Sequence, residues 1–263
     1  MPSYGGLGMN APSMNSHVET ISAALADLDR NGFAIVKNLF TDEQLDDLTV
    51  AMEALQARVA SGDLDPWFAG NEFVSDFDGP MPPFVHYVVN VEELSPEAHA
   101  AFYDPLVMEI IGRAFGPDHW LFRPDDRTVV FQDARPGQGM TYSRIGWHTD
   151  HQSRPTSDIW PAIAVTVHLD ATSPANGFLR VLPGSHKMTT DAMPLGFEKV
   201  PKEIGLYCDR GDVLLHHSDL WHSAARATED APDGIRRHLR GSFMGGRQPG
   251  PGELEPFNKN AMR

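Results

Sequence analysis

The stretch GWHTDHQ, residues 146–152, sets His148 and Asp150 two positions apart. On an extended strand, residues i and i+2 point to the same side. An imidazole and a carboxylate there can reach one point in space, and both are ligands for a divalent metal. A metal site needs at least one more ligand, and the stretch RGDVLLHHSDLWHSAA offers His216, His217 and His222. Strands that far apart in a jelly roll return to the same mouth. His148, Asp150 and His222 would then form the two-histidine, one-carboxylate triad of non-haem Fe(II) oxygenases, which leaves three positions open for a co-substrate and O₂. Zinc could use the same ligands with a water in the fourth position, as in a hydrolase or isomerase. A binding module that keeps the site without catalysis is the remaining alternative.

The elements that must carry these residues change character along the chain. Residues 1–16 are rich in Gly, Ser, Asn and Met and read as a loose arm. Residues 17–119 read as mainly helical. Ile21, Leu25 and Leu28 fall at helical spacing, Asn31-Gly32 closes that helix, and FAIVKNLF reads as a strand. Thr41 is a good N-cap, with Asp42 and Glu43 at the positive helix end and Leu45, Leu48, Met52 and Leu55 as the apolar stripe. SPEAHAAFYDPLVMEIIGRAFG reads as a helix pair broken at Pro105 and closed by Gly116. Residues 61–97 have little periodicity and read as an irregular cover. From about 120 to 245, short β-rich runs alternate with turn clusters, the pattern of an antiparallel sandwich or barrel. The expectation is one domain over 17–263, mostly β with α, with N-terminal helices packed on the β part.

Composition narrows the partners. The 263 residues are 41% hydrophobic and 22% charged, as in an ordinary globular protein. Lys and Arg number 21 against 36 Asp and Glu, a net charge of −15. That balance argues against nucleic acid and anionic membranes as partners. Cys208 is the single cysteine, so no intrachain disulfide forms. No apolar run is long enough to span a bilayer, and the first residues do not read as a signal peptide. A cytoplasmic location and a small-molecule substrate are expected; the oligomeric state is not legible.

NGFAIVKNLFTDEQLDDL, GWHTDHQ, NGFLRVLPGSHK, RGDVLLHHSDLWHSA and IRRHLRGSF occur in an order and spacing that resembles the phytanoyl-CoA dioxygenase family. The resemblance runs from about Gly32 to Phe243. It implies a double-stranded β-helix (jelly roll, cupin-like) core and an Fe(II)- and 2-oxoglutarate-dependent oxygenase that oxidises a substrate C–H bond and releases succinate and CO₂. It implies that His148, Asp150 and His222 bind iron. Arg236 matches the family's arginine on the strand after the distal histidine, which bonds the far carboxylate of 2-oxoglutarate. Thr166 falls at a co-substrate position, and Val130 and Gln132 share a face where the family lines that pocket. The carboxylate of Asp150 argues for hydroxylation, desaturation or ring formation rather than halogenation. The family acts on acyl-CoA thioesters, compatible solutes and natural products.

Three departures stand out. The gap from His222 to Arg236 is longer than the family's. Arg236 and Arg237 are adjacent, so a one-residue slip would exchange their faces. Ala224 stands where a small hydroxylic residue often follows the distal histidine, with Ser223 one position off. His216 and His217 read as structural, His151 as outward, and His186 and Lys187 as part of a turn. Trp147, Trp160 and Trp221 are either pocket wall or core. Phe84, His86 and Tyr87 suggest an aromatic wall, and residues 187–205 a loop that shapes the substrate pocket.

Overall fold

A computed structural model describes residues 14–64, 85–123, 127–134, 145–150, 162–225 and 235–250. Helix α1 (Met14–Asn31) takes in the last three residues of the stretch read as an arm and ends at Gly32, whose φ of 82° takes the left-handed conformation. Strand β1 (Phe33–Val36) follows. Helix α2 (Asp42–Ser61) is capped as its sequence requires: the Thr41 hydroxyl accepts from the Gln44 N–H, and the Gln44 side chain accepts from the Thr41 N–H. After β2 (Tyr87–Val89) come α3 (Val91–Leu94), α4 (Pro96–Phe102) and α5 (Pro105–Phe115). Pro105 begins α5 rather than merely breaking a pair, because a proline at the first helical position forfeits no hydrogen bond.

The remaining strands are β3 (His119–Leu121), β4 (Val130–Ala134), β5 (Ile145–His148), β6 (Ala162–His168), β7 (Leu179–Val181), β8 (Ile204–Leu206), β9 (Val213–His217), β10 (His222–Ala224) and β11 (Arg236–Gly245). They form two antiparallel sheets. The larger has the order β1-β9-β6-β11-β4-β2, with β3 also on β11; the smaller has the order β5-β10-β7-β8. The part read as mainly helical therefore contributes β1 and β2 to the larger sheet.

One face of the larger sheet carries the main core. Phe131, Val165, Val167, Leu215, Leu239 and Phe243 pack with Leu28, Leu45, Leu48, Met52, Phe102 and Ile110 of the helices. Burying residues of this size is worth roughly 1.5–3 kcal/mol each. By strand parity the alternate residues point the other way, toward the smaller sheet. A second cluster, with Val181, Leu206, Leu214 and Leu220, packs there with Phe33 and Ile35. The site lies on this inward side.

Candidate metal centre

His148 is the last residue of β5 and His222 the first of β10. The two are direct partners in the antiparallel register, so their imidazoles project from one face with ring centroids 4.1 Å apart. The Nδ1 of each faces a carbonyl: His148 that of Gly146 and His222 that of Leu220, both at 2.8 Å. A carbonyl only accepts, so Nδ1 carries the proton and the Nε2 lone pair is left for a metal. Asp150 lies just beyond β5, held there by its N–H donating to the Ser218 carbonyl at 2.9 Å. One ligand atom from each of His148, Asp150 and His222 lies within 4.8 Å of the others. Two imidazole nitrogens and one carboxylate oxygen at that spacing fit a divalent iron ion.

Two side chains hold the carboxylate. The His216 Nε2 bonds its Oδ2 at 2.8 Å, and the Arg240 guanidinium donates to its Oδ1. The His222 Nε2 stands 3.4 Å from the same Oδ1. Burial alone would raise the pKa of Asp150, but the charge on Arg240 and the bond from His216 hold it well below the usual carboxylate value. Burial and the neighbouring His222 push His148 down to about 4. A neutral imidazole and an ionised carboxylate are the forms that bind metal.

A cavity opens beside these ligands. His148 and His222 line it together with Thr166, Gln132, Arg236, His168, His216, His238 and Arg240. Ile145, Leu179, Leu206 and Leu214 supply apolar walls. Val130 is on the same inward face, paired in register with Arg240, but outside the lining. Arg236 reaches the cavity, and its buried Nε is bonded to none of the described residues. Arg237 faces the helices instead, with Nε 2.8 Å from Asp170 and NH1 2.7 Å from Glu53 of α2. The adjacent arginines thus take opposite faces, and Arg236 has the inward one.

The other candidates fall where parity sends them. Trp147, next to His148, points to the far side of β5; its Nε1 donates to the Glu198 carbonyl at 2.7 Å and Arg180 stacks 5.0 Å over its ring. Trp221 is core, 2% exposed. The loop after Lys187 braces β5 rather than lining the cavity, since the Gly196 carbonyl accepts from the Trp147 N–H at 2.7 Å. A side chain at Gly146 would meet that carbonyl at 2.7 Å, so the brace requires glycine. The Ser223 hydroxyl ties β10 to β5 through the Ile145 carbonyl, 2.8 Å away, while Ala224 lines the cavity. Burial lowers the pKa of Arg236, and Tyr87 stands close enough to oppose that shift in part. Phe84, His151 and Trp160 lie outside the described residues. His216, Arg240, His168 and His238 were not singled out as site residues by the sequence. The alternation Arg236, His238, Arg240 in RRHLRGSF was the available signal, because it puts three polar groups on one strand face.

The family model for phytanoyl-CoA dioxygenase (PhyH) matches residues 28–236. The chain belongs to the phytanoyl-CoA dioxygenase family. It is 27% identical over 243 residues to the iron/alpha-ketoglutarate-dependent dioxygenase ausU of Aspergillus calidoustus, covering 86% of this chain and 70% of that protein. It is 26% identical over 172 residues to the ectoine dioxygenase of Nocardia farcinica, covering 64% of this chain and 52% of that protein. The chain thus spans about half the length of that relative. Among solved structures, EctD from S. alaskensis with bound Fe superposes with a TM-score of 0.64 at 18% identity, over 92% of this chain and 80% of that one. The carbocyclase SnoK from nogalamycin biosynthesis gives 0.63 at 15% identity, over 95% and 94%. Likeness at these identities establishes the jelly-roll fold of the PhyH chain. No helix among the described residues is long and apolar enough to cross a membrane.

Proposed function

We propose that this PhyH-family chain is a non-haem Fe(II)- and 2-oxoglutarate-dependent dioxygenase. It would oxidise an unactivated C–H bond of a small organic molecule, with release of succinate and CO₂. The observation that carries this is the convergence of two kinds of group on one cavity. His148, Asp150 and His222 offer a metal three ligands, and Arg236 offers an anion a buried N–H donor. A zinc hydrolase using the same ligands has no task for Arg236.

Iron held by His148, Asp150 and His222, together with 2-oxoglutarate, would supply the oxidising chemistry by coupling decarboxylation to O₂ activation. The protein's residues position and shield. The carbonyls of Gly146 and Leu220 fix the two imidazole tautomers, and His216 and Arg240 orient Asp150. Arg236 would take the far carboxylate of 2-oxoglutarate in a charge-assisted bond. Thr166 and Gln132 would add polar contacts, with Val130 as a neighbouring apolar edge. The apolar walls keep water from the reacting carbon. One relative is named an ectoine dioxygenase and one structural neighbour comes from nogalamycin biosynthesis, names that support a small organic substrate here.

The test is spectroscopic and anaerobic. Metal-free protein receives Fe(II) and then 2-oxoglutarate. A weak charge-transfer band near ~500 nm is the signature of a keto acid chelating iron at such a triad. The wild type should show it; His222→Ala and Arg236→Ala should lose or weaken it. Iron binding without a band would overturn the proposal.

A further inference from the structure

The far end of the cavity carries two histidines that the metal does not use. We infer that His168 and His238 are co-substrate residues: their imidazoles flank Arg236 and donate N–H bonds to the far carboxylate of 2-oxoglutarate. The inference rests on the dioxygenase assignment and names two binding residues of that site.

Register brings the pair together. His238 is two residues after Arg236 on β11, so the two share a face. On one side His238 is paired with His168, the last residue of β6, and on the other with Gln132 of β4. The row His168–His238–Gln132 thus crosses three neighbouring strands, and all three residues line the cavity with Arg236. The next row, Thr166–Arg240–Val130, is two residues further along β11, ~7 Å away. That row is at the metal end, because Arg240 bonds the Asp150 Oδ1. The histidine row therefore stands one step behind the metal ligands, on the side of Arg236.

Packing does not account for these rings. His168 is 6% and His238 8% exposed, with ring centroids 6.0 Å apart. Both nitrogens of His168 and the Nδ1 of His238 are buried and bonded to none of the described residues. A buried donor or acceptor left without a partner costs stability. The adjacent row on the opposite face, Val167, Leu239 and Phe131, is apolar core. Two imidazoles without partners mark the inward face as built for a polar ligand.

Charge narrows what that ligand is. Burial and the charge of Arg236 lower His168 to about 4; Lys37 acts the same way, while Asp212 and Asp170 oppose it. Burial and the neighbouring Arg236, His168 and Arg240 hold His238 well below its ordinary value. Both imidazoles are therefore neutral near pH 7, and each has one N–H to donate. Arg236 supplies the single positive charge and the histidines supply uncharged donors. That set suits one carboxylate, whose charge is matched once and whose remaining lone pairs are bonded.

The experiment reads the anaerobic charge-transfer band of the full chain with Fe(II). 2-Oxoglutarate is titrated beside 2-oxovalerate, a keto acid of equal length that ends in a methyl group. The wild type should bind 2-oxoglutarate at least about tenfold more tightly. His168→Leu and His238→Leu should each weaken 2-oxoglutarate about tenfold, as expected for one lost hydrogen bond to a charged group, and leave 2-oxovalerate within about twofold. His168→Gln and His238→Gln keep an N–H donor and should recover part of the loss. Equal weakening of both keto acids would make the histidines structural. That result, undiminished 2-oxoglutarate affinity, or equal wild-type affinities for the two acids would overturn the inference while the band upholds the oxygenase. Should the leucine variants not fold, the wild type decides. With Zn(II) in place of iron, 2-oxoglutarate should shift the imidazole N–H resonances of two histidines that 2-oxovalerate leaves unmoved, and the absence of such a pair would overturn the inference. No band in the wild type with either keto acid would sink both proposals.

Discussion

Strand β11 has two covered faces of opposite character. Leu239 and Phe243 point to the helices with 0% and 2% of their surface exposed, and between them Gly241 leaves room for the Phe102 ring. Arg236, His238 and Arg240 point to the cavity. The same ten residues serve the core on one side and the site on the other. A sheet with one face in water alternates apolar and polar residues because water satisfies the polar side. Here the polar side is covered by the smaller sheet, and several of its groups, Arg236 Nε and both ring nitrogens of His168 among them, meet no partner among the described residues. Unsatisfied buried polar groups cost stability. A fold tolerates them where a ligand completes them, so the two faces should answer differently to substitution.

The largest effect belongs to the helix-facing side. Phe243 stacks on Phe102 with ring centroids 5.4 Å apart. Phe243→Ala should destabilise the protein by about 3–5 kcal/mol through lost transfer energy and a residual cavity. Urea unfolding would show a lower midpoint at unchanged slope. A loss below ~1 kcal/mol would mean that the helices do not clamp this face.

The next effect, smaller for any one residue, comes from the inward side. Burial pushes His148, His168 and His216 each down to about 4, from an ordinary value of 6.5. Between those values the unfolded chain binds more protons than the folded one, so stability rises with pH. Metal-free protein should therefore lose stability as the pH falls from about 6.5 toward about 4, by up to ~1.4 kcal/mol per pH unit for each histidine. His168→Gln removes one of the three without touching a proposed metal ligand. Its urea midpoint, compared at pH 7.5 and pH 5, should shift less than that of the wild type. An equal shift would show that His168 is not held neutral in the folded state.

How far the sequence reached follows the same division. Parity is local, so Val130 and Gln132 on one side of β4 could be read directly, as could the nearness of His148 on β5 and Asp150 just past its end. Caps are local too, and Thr41 and Gly32 behave as their residue types require. Depth along a strand is not local. It depends on which strand pairs with which and in what register, and the β6–β11 register that sets His168 opposite His238 joins residues 70 positions apart. Hence Val130 has the right face but lies outside the cavity lining, and Arg240 was passed over although parity put it with Arg236. His216 was taken as structural because nothing near it in sequence shows that Asp150 folds over it. An antiparallel β architecture was legible from strand lengths and turns, and the double-stranded β-helix from the family motifs; the roles of polar residues inside it needed the register.

The smallest stability effect sharpens the contrast between the faces most. Arg236 carries a guanidinium whose Nε is buried without a partner and whose charge burial disfavours, with no carboxylate paired to it among the described residues. Arg236→Met keeps an unbranched side chain of similar reach and removes the charge. Replacing a buried, uncompensated ion by an apolar group of similar volume is neutral or stabilising. The urea midpoint of Arg236→Met should therefore stay within about 1 kcal/mol of wild type, or rise. Affinity for 2-oxoglutarate, read by the same anaerobic band, should fall by roughly ten- to a hundredfold, the loss of one charge-assisted bond of about 1.5–3 kcal/mol. The two readouts must part company for the cavity face to be a binding face. If Arg236→Met unfolds the protein as readily as Phe243→Ala does, the arginine is structural and the inward row of β11 is a second core. If stability and keto-acid affinity both survive, the far carboxylate is held elsewhere, and Thr166 and Gln132 on the neighbouring strands become the groups to remove next.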